Sequence, residues 1–136
     1  MKKNILIFSY AYEPLIGGAE IAVKELTARM SAEFSFTLIT RRFARAHPRR
    51  DTVGAVAVYR VMGGKFLFSF AAALRALSLH RRERFDAVWA IMANRAGAAA
   101  LLFKIFHPRA PLVLTLQEGD PIPDIMRAVG ILRPLF

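Results

Sequence analysis

Five apolar runs of strand length, set apart by polar or helical spans, constrain this chain more than any other feature. They are ILIFS (Ile5 to Ser9), FSFTLIT (Phe34 to Thr40), AVAVYRV (Ala55 to Val61), FDAVWAIM (Phe85 to Met92) and LVLTL (Leu112 to Leu116). Strands that stay apolar throughout, instead of alternating with polar residues, are covered on both faces, which is the habit of a parallel sheet. The spans between them agree. From Ala19 to about Ala32, residues Ala19, Ala22, Val23, Leu26 and Met30 recur at helical spacing, with Glu20/Lys24 and Glu25/Arg29 as i, i+4 pairs. A second helix is expected from residue 66 to about 82, ending in basic residues that suit its dipole. A third, RAGAAALLFKIF, follows Asn94 as N-cap and is closed by Pro108 and Pro111. The stretch between the second and third strands has no helical period, so a hairpin-like loop or an edge crossover is expected there. The pattern predicts an α/β domain: a Rossmann-like, doubly wound, mostly parallel sheet with helices on both faces. At 136 residues, without a repeat or linker, one domain is expected.

Composition removes several function classes. There is no cysteine, hence no disulfide, thiolate zinc site or cysteine nucleophile. The start MKKNILIFSYAYEPLIGG has a short apolar stretch broken by Glu13 and Pro14, unlike a signal peptide. FLFSFAAALRALSL (Phe66 to Leu79), interrupted by Arg75, is too short to span a bilayer. A soluble cytoplasmic protein is the expectation. The net charge of +10 is unusual, and RRFARAHPRR holds five arginines, Arg41, Arg42, Arg45, Arg49 and Arg50. Such a patch either attracts anions or is a solvated loop. Nucleic acid is disfavoured, because no aromatic interleaving, helix-turn-helix or zinc pattern accompanies the charge.

The segment YEPLIGGAEIAV, residues 12 to 23, joins the first strand to the first helix. In open α/β sheets ligands bind beyond the carboxyl ends of the strands, and Gly17 and Gly18 are expected there. Glycine at a helix start allows an anion to approach backbone N–H groups; it also simply makes a tight turn. IGGAEIAV is not GxGxxG, and GGKF at Gly63 to Phe66 does not supply a GxxxxGK[ST] loop, so neither familiar phosphate motif applies.

The stretch ILIFSYAYEPLIGGAEIAVKEL resembles the opening of retaining GT-B glycosyltransferases of the sucrose-synthase and mannosyltransferase type, the family 4-like group. There the first strand enters an aromatic-x-Pro turn, then a Gly-Gly pair, a small residue and Glu; here these are Tyr12, Pro14, Gly17, Gly18, Ala19 and Glu20. PLVLTLQEGDP falls where that family has a strand ending in His-Gly or His-Asp. The resemblance implies the acceptor-side half of a GT-B enzyme, which moves a sugar from a nucleotide diphospho-sugar to a glycan or lipid-linked acceptor. It implies no cofactor beyond that co-substrate, and a separate donor-binding half that these 136 residues do not include. Gly17 and Gly18 would face the donor diphosphate. Gln117 stands where the family often has histidine; glutamine cannot serve as a base but can bond a sugar hydroxyl. Glu118 and Asp120 would bind acceptor hydroxyls or shape a polar turn. Glu25 and Glu33 have the spacing of the family's donor-half acidic pair, yet belong to the first helical region and are not that motif.

Other residues sort by position. Asn94 and Arg95 at the end of the fourth strand, with Tyr10 and Tyr12 beside the glycine loop, are candidate acceptor contacts. His47, His80 and His107 have no acid at ligand spacing, so no metal is expected, and Trp89 is read as core. Arg75, Arg81 and Arg82, with an exposed Phe66 or Phe68, are a candidate contact with an anionic membrane. The alternative reading is a non-catalytic Rossmann-like module that holds a phosphorylated ligand or an anionic partner.

Overall fold

The computed structural model describes residues 2–10, 18–43, 45–64, 67–91 and 95–115. Strands β1 (Lys3–Phe8), β2 (Phe34–Arg41), β3 (Arg50–Val53), β4 (Val56–Val61), β5 (Ala87–Ile91) and β6 (Leu112–Thr115) form one sheet in the order β3-β4-β2-β1-β5-β6. All neighbours are parallel except β3 against β4. Helices α1 (Gly18–Met30), α2 (Phe68–Glu83) and α3 (Arg95–Phe106) connect them.

Side chains along each central strand alternate between two apolar layers, as the period of a strand requires. Leu6 and Phe8, Ile39, Tyr59 and Val61, and Val88 and Ala90 face the layer shared with α2 and α3. Ile7, Phe36, Leu38, Val56, Val58 and Ile91 face the other, where Val23 of α1 packs. Helices therefore cover both faces, as the uninterrupted apolar runs imply. Ala72, Ala76, Ala96, Ala99 and Ala100 are buried in the first layer, and these small residues allow α2 and α3 to pack closely beside Phe103.

The span between β2 and β4 is a crossover at the sheet edge, the second of the two expectations, and it carries a strand, β3, that was not expected. β2 and β4 are parallel neighbours, and the hairpin is formed by β3 with β4. Its turn passes through Gly54 at φ 58°, a left-handed conformation that glycine adopts without strain. Much of the arginine-rich loop is also internally engaged rather than free. The Arg42 guanidinium donates to the carbonyls of His47 (2.7 Å) and Arg45 (2.6 Å). Buried Arg60 donates to the Pro48 carbonyl (3.1 Å) and lies 3.7 Å from the Asp51 carboxylate.

The parallel strands run β4-β2-β1-β5-β6, so the chain order reverses between β1 and β5. Such a reversal opens a crevice at the carboxyl ends of the two strands. No helix among the described residues is long and apolar enough to cross a membrane.

Candidate functional site

Tyr10 lies two residues beyond β1, and Arg95 opens the helix that follows β5, so the two flank the reversal point. The Arg95 guanidinium carbon sits 5.6 Å from the centroid of the Tyr10 ring. On β2, the register that pairs Phe8 with Ile39 carries Arg41 to the same place. Its backbone N–H donates to the Tyr10 carbonyl (3.4 Å), and its Nη1 donates to the Tyr10 hydroxyl at 2.6 Å. The Arg41 guanidinium also lies 5.7 Å from the Tyr10 ring centroid and 4.7 Å from that of Phe43.

The tyrosine is fixed by edge-on ring contacts with Phe68 (5.2 Å) and Phe43 (5.6 Å). Phe68 is fully buried at the start of α2, which corrects the expectation that it is exposed: the Tyr10 ring and the first apolar layer need it as packing. Ser69 in the next position donates its hydroxyl to the Arg95 carbonyl at 2.9 Å, tying α2 to the first turn of α3.

Two guanidinium groups thus converge on one phenol. Among the described residues no carboxylate pairs with Arg41, and its Nε is buried without a hydrogen-bond partner. The neighbouring Thr40 hydroxyl is likewise buried and unpartnered. Buried polar atoms are nearly always satisfied, and each exception calls for an explanation such as an ordered water, a bound ion or a catalytic role. A positive edge with spare donors suits the oxygens of a phosphate or carboxylate, which guanidinium groups bind through directed, charge-assisted bonds.

Comparison with known proteins agrees with this architecture. A family model described as a glycosyl transferase 4-like domain matches residues 17–136. The chain belongs to that family. Sucrose-phosphate synthase from Thermosynechococcus elongatus superimposes with a TM-score of 0.68 at 10% identity, over 98% of this chain and 40% of that one. An α,α-trehalose 6-phosphate synthase from Burkholderia multivorans gives a TM-score of 0.61 at 14% identity, over 99% of this chain and 37% of that one. The chain therefore spans about two fifths of the length of either structure and shares the Rossmann-like fold found within these GT-B enzymes. No curated protein matches the sequence.

In this glycosyl transferase 4-like domain the described residues place Tyr10 and Arg95 together, and add Arg41, Phe43 and Phe68. α1 begins at Gly18, in the connection that leaves the carboxyl end of β1. Gly17, Tyr12, Asn94, Gln117, Glu118 and Asp120 lie outside the described residues, as does Phe66. Arg41 was not apparent from sequence because it ends the second apolar run and reads as the first residue of a solvated loop. The available signal was register: in a parallel pair beginning at Lys3 and Phe34, residue 41 must end beside residue 10.

At the opposite, amino edge, sequence also missed a pairing. His80 of α2 and His107 after α3 meet with ring centroids 4.2 Å apart. His80 Nδ1 accepts the Phe85 N–H at 3.1 Å, so that nitrogen is unprotonated. Burial lowers the His80 pKa from its ordinary 6.5, and the nearby His107 and Arg84 lower it further. A cleft lined by both histidines, Asp86 and Arg109 lies here. Among the described residues no group of three or more His, Asp or Glu side chains could hold a metal ion.

Proposed function

We propose that this chain is the acceptor-side half of a retaining glycosyltransferase, which moves a hexosyl group from a nucleotide diphospho-sugar to a glycan or lipid-linked acceptor. The observation that carries the reading is the convergence of Arg41 and Arg95 on Tyr10 at the reversal point of a glycosyl transferase 4-like domain. Gly17 and Gly18 present backbone to the donor diphosphate, with no side chain in the way. The nucleotide is held by a second domain, and the acceptor lies against this one. Tyr10, Tyr12, Asn94, Arg95, Gln117, Glu118 and Asp120 contact the acceptor, and Arg41 with Arg95 favours one that bears an anionic group.

Transfer with retention needs no base from this half. As the bond from the anomeric carbon to the diphosphate breaks, the acceptor oxygen attacks from the same face. The leaving phosphate oxygen takes the acceptor proton. Gln117, which cannot take that proton, orients an acceptor hydroxyl instead. A protein of this kind works at the cytoplasmic side of envelope polysaccharide synthesis, where activated sugars are available.

The test is kinetic, on the protein that carries both halves, with a panel of nucleotide sugars. Arg95→Ala should raise the acceptor KM by about tenfold or more, the loss of one charged hydrogen bond, and leave the donor KM unchanged. An unchanged acceptor KM would remove Arg95 from the site. Ligand binding without transfer by the unaltered protein would favour a non-catalytic module.

A further inference from the structure

The positive charge of this protein is concentrated in one stretch. Ten of its twenty Lys and Arg residues lie between positions 41 and 82, where Asp51 is the sole carboxylate. That carboxylate is already opposite the buried Arg60. The stretch contains β4 and most of α2, and α2 has an outward face that is not polar. Leu67, Phe70 and Leu74, spaced i, i+3 and i+7, are 63%, 58% and 67% exposed. Met62, at the end of β4, is 57% exposed and lines one groove together with Leu74, Arg49 and Arg75. Arg75 and Arg50 lie against the Tyr59 ring, at 5.2 and 5.5 Å from its centroid, which holds both guanidinium groups beside the ridge.

The exposed apolar residues of α1 lack this setting. Ile21, Leu26 and Met30 of α1 share their helix with Glu25, which pairs with Arg29. The α2 ridge instead joins an aliphatic and aromatic strip to arginines that have no carboxylate partner among the described residues. That combination discriminates between polyanions. A nucleic acid would use the arginines and leave Leu67, Leu74 and Met62 in water, whereas an anionic bilayer takes both, the apolar residues among acyl chains and the arginines among headgroups.

We propose that this face, Met62, Leu67, Phe70 and Leu74 flanked by Arg49, Arg50 and Arg75, is a docking surface for an anionic lipid bilayer. The ridge begins at Leu67, adjacent to Phe68, whose ring contacts Tyr10. Docking therefore sets the carboxyl edge of the sheet at the level of the headgroups, where a lipid-linked molecule is presented. Of the two phenylalanines expected from sequence, Phe68 is buried and Phe66 lies outside the described residues, while Phe70 is exposed. Vesicle binding needs no sugar transfer, so this surface stands or falls apart from the enzymatic reading.

The experiment is co-sedimentation of the protein with vesicles of phosphatidylcholine alone or with 30% phosphatidylglycerol, at low and high salt. Phosphatidylglycerol vesicles should bind the protein and lose it at high salt, and phosphatidylcholine vesicles should not. Each of Arg49→Gln and Arg75→Gln should weaken binding about fivefold. Phe70→Ser with Leu74→Ser, both at exposed positions, should weaken it by more than tenfold with an unchanged circular dichroism spectrum and melting temperature. Equal binding to both vesicles, or full binding by the double serine variant, overturns the proposal. So does a concentration-dependent dimer that the double serine variant abolishes, because the ridge then serves a second copy. Tighter binding to an RNA oligonucleotide than to the anionic vesicles, undiminished in the serine variant, also overturns it.

Discussion

The two edges of the sheet are built from the same strands and treat their polar groups in opposite ways. At the amino edge the groups around Asn4 are tied down. Asn4 N–H donates to the Asp86 carboxylate (2.8 Å) and the Asp86 N–H returns to the Asn4 carbonyl (2.8 Å). The Asn4 amide donates to the carbonyls of Glu83 (2.6 Å) and Arg84 (3.2 Å), and so braces Arg84 at its positive φ of 31°. His80 caps the Phe85 N–H beside them. At the carboxyl edge Thr40 Oγ1 and Arg41 Nε are buried without partners among the described residues, and Arg41 and Arg95 crowd one tyrosine. One edge is a fastening; the other has spare hydrogen-bonding capacity. On the proposed reading stability and function separate along the strands, and variants at the two edges should fail in different assays.

The largest effect is expected at the carboxyl edge. Gly18→Val places a branched side chain where α1 begins, and should reduce sugar transfer by the complete enzyme by about 100-fold or more. The melting temperature should hold. Wild-type transfer by this variant would take the glycine pair out of the site.

Arg41→Met sharpens the contrast, because it removes an unpaired buried Nε while keeping much of the side chain's length. Affinity for a sugar phosphate should fall about tenfold, while urea unfolding should change by less than about 1 kcal/mol, because relief of the unpaired Nε offsets the lost bond to the Tyr10 hydroxyl. Loss of both affinity and stability would mean that Arg41 serves the fold.

Asn4→Ala should do the reverse. It removes two partly solvated hydrogen bonds to backbone and should cost about 1 kcal/mol in urea unfolding, with transfer unaltered. An equal loss of activity would show that the edges are not independent.

The smallest effect concerns pH. His80 has a lowered pKa in the folded state, so between that value and its ordinary 6.5 the unfolded chain binds the extra proton. Its contribution to stability is complete above 6.5 and declines as pH falls through that window. His80→Gln should flatten the pH dependence of the melting temperature there. An unchanged slope would assign the acid sensitivity elsewhere.

The same contrast governs what could be read from sequence. The five apolar strands and the span Arg95–Phe106 were legible because burial on both faces, helical period and prolines all act locally. β3 was not, since Arg50–Val53 has no apolar run and is a strand only through pairing with β4 across Gly54. Tyr10 and Arg95 were legible as strand-end positions. Arg41 was not, because its partner is thirty-one residues away and only strand register brings them together. His80 and His107 were hidden for the same reason, joined by the packing of α2 on α3. Phe68 and Phe70 are both helical phenylalanines, and the packing of Phe68 into the first apolar layer and against the Tyr10 ring decides which one is buried.

The central claim is that substrate binds at the carboxyl edge, between Tyr10, Arg41 and Arg95. It is tested most directly by nuclear magnetic resonance of the nitrogen-labelled protein titrated with sugar phosphates and nucleotide diphospho-sugars. Saturable shifts at the Arg41 and Arg95 Nε–H groups and the Ser9 and Tyr10 amides, with Asn4 and Asp86 unmoved, are the predicted result. Shifts confined to Asn4, His80, Asp86 and His107 would place the ligand at the amino edge and contradict the account.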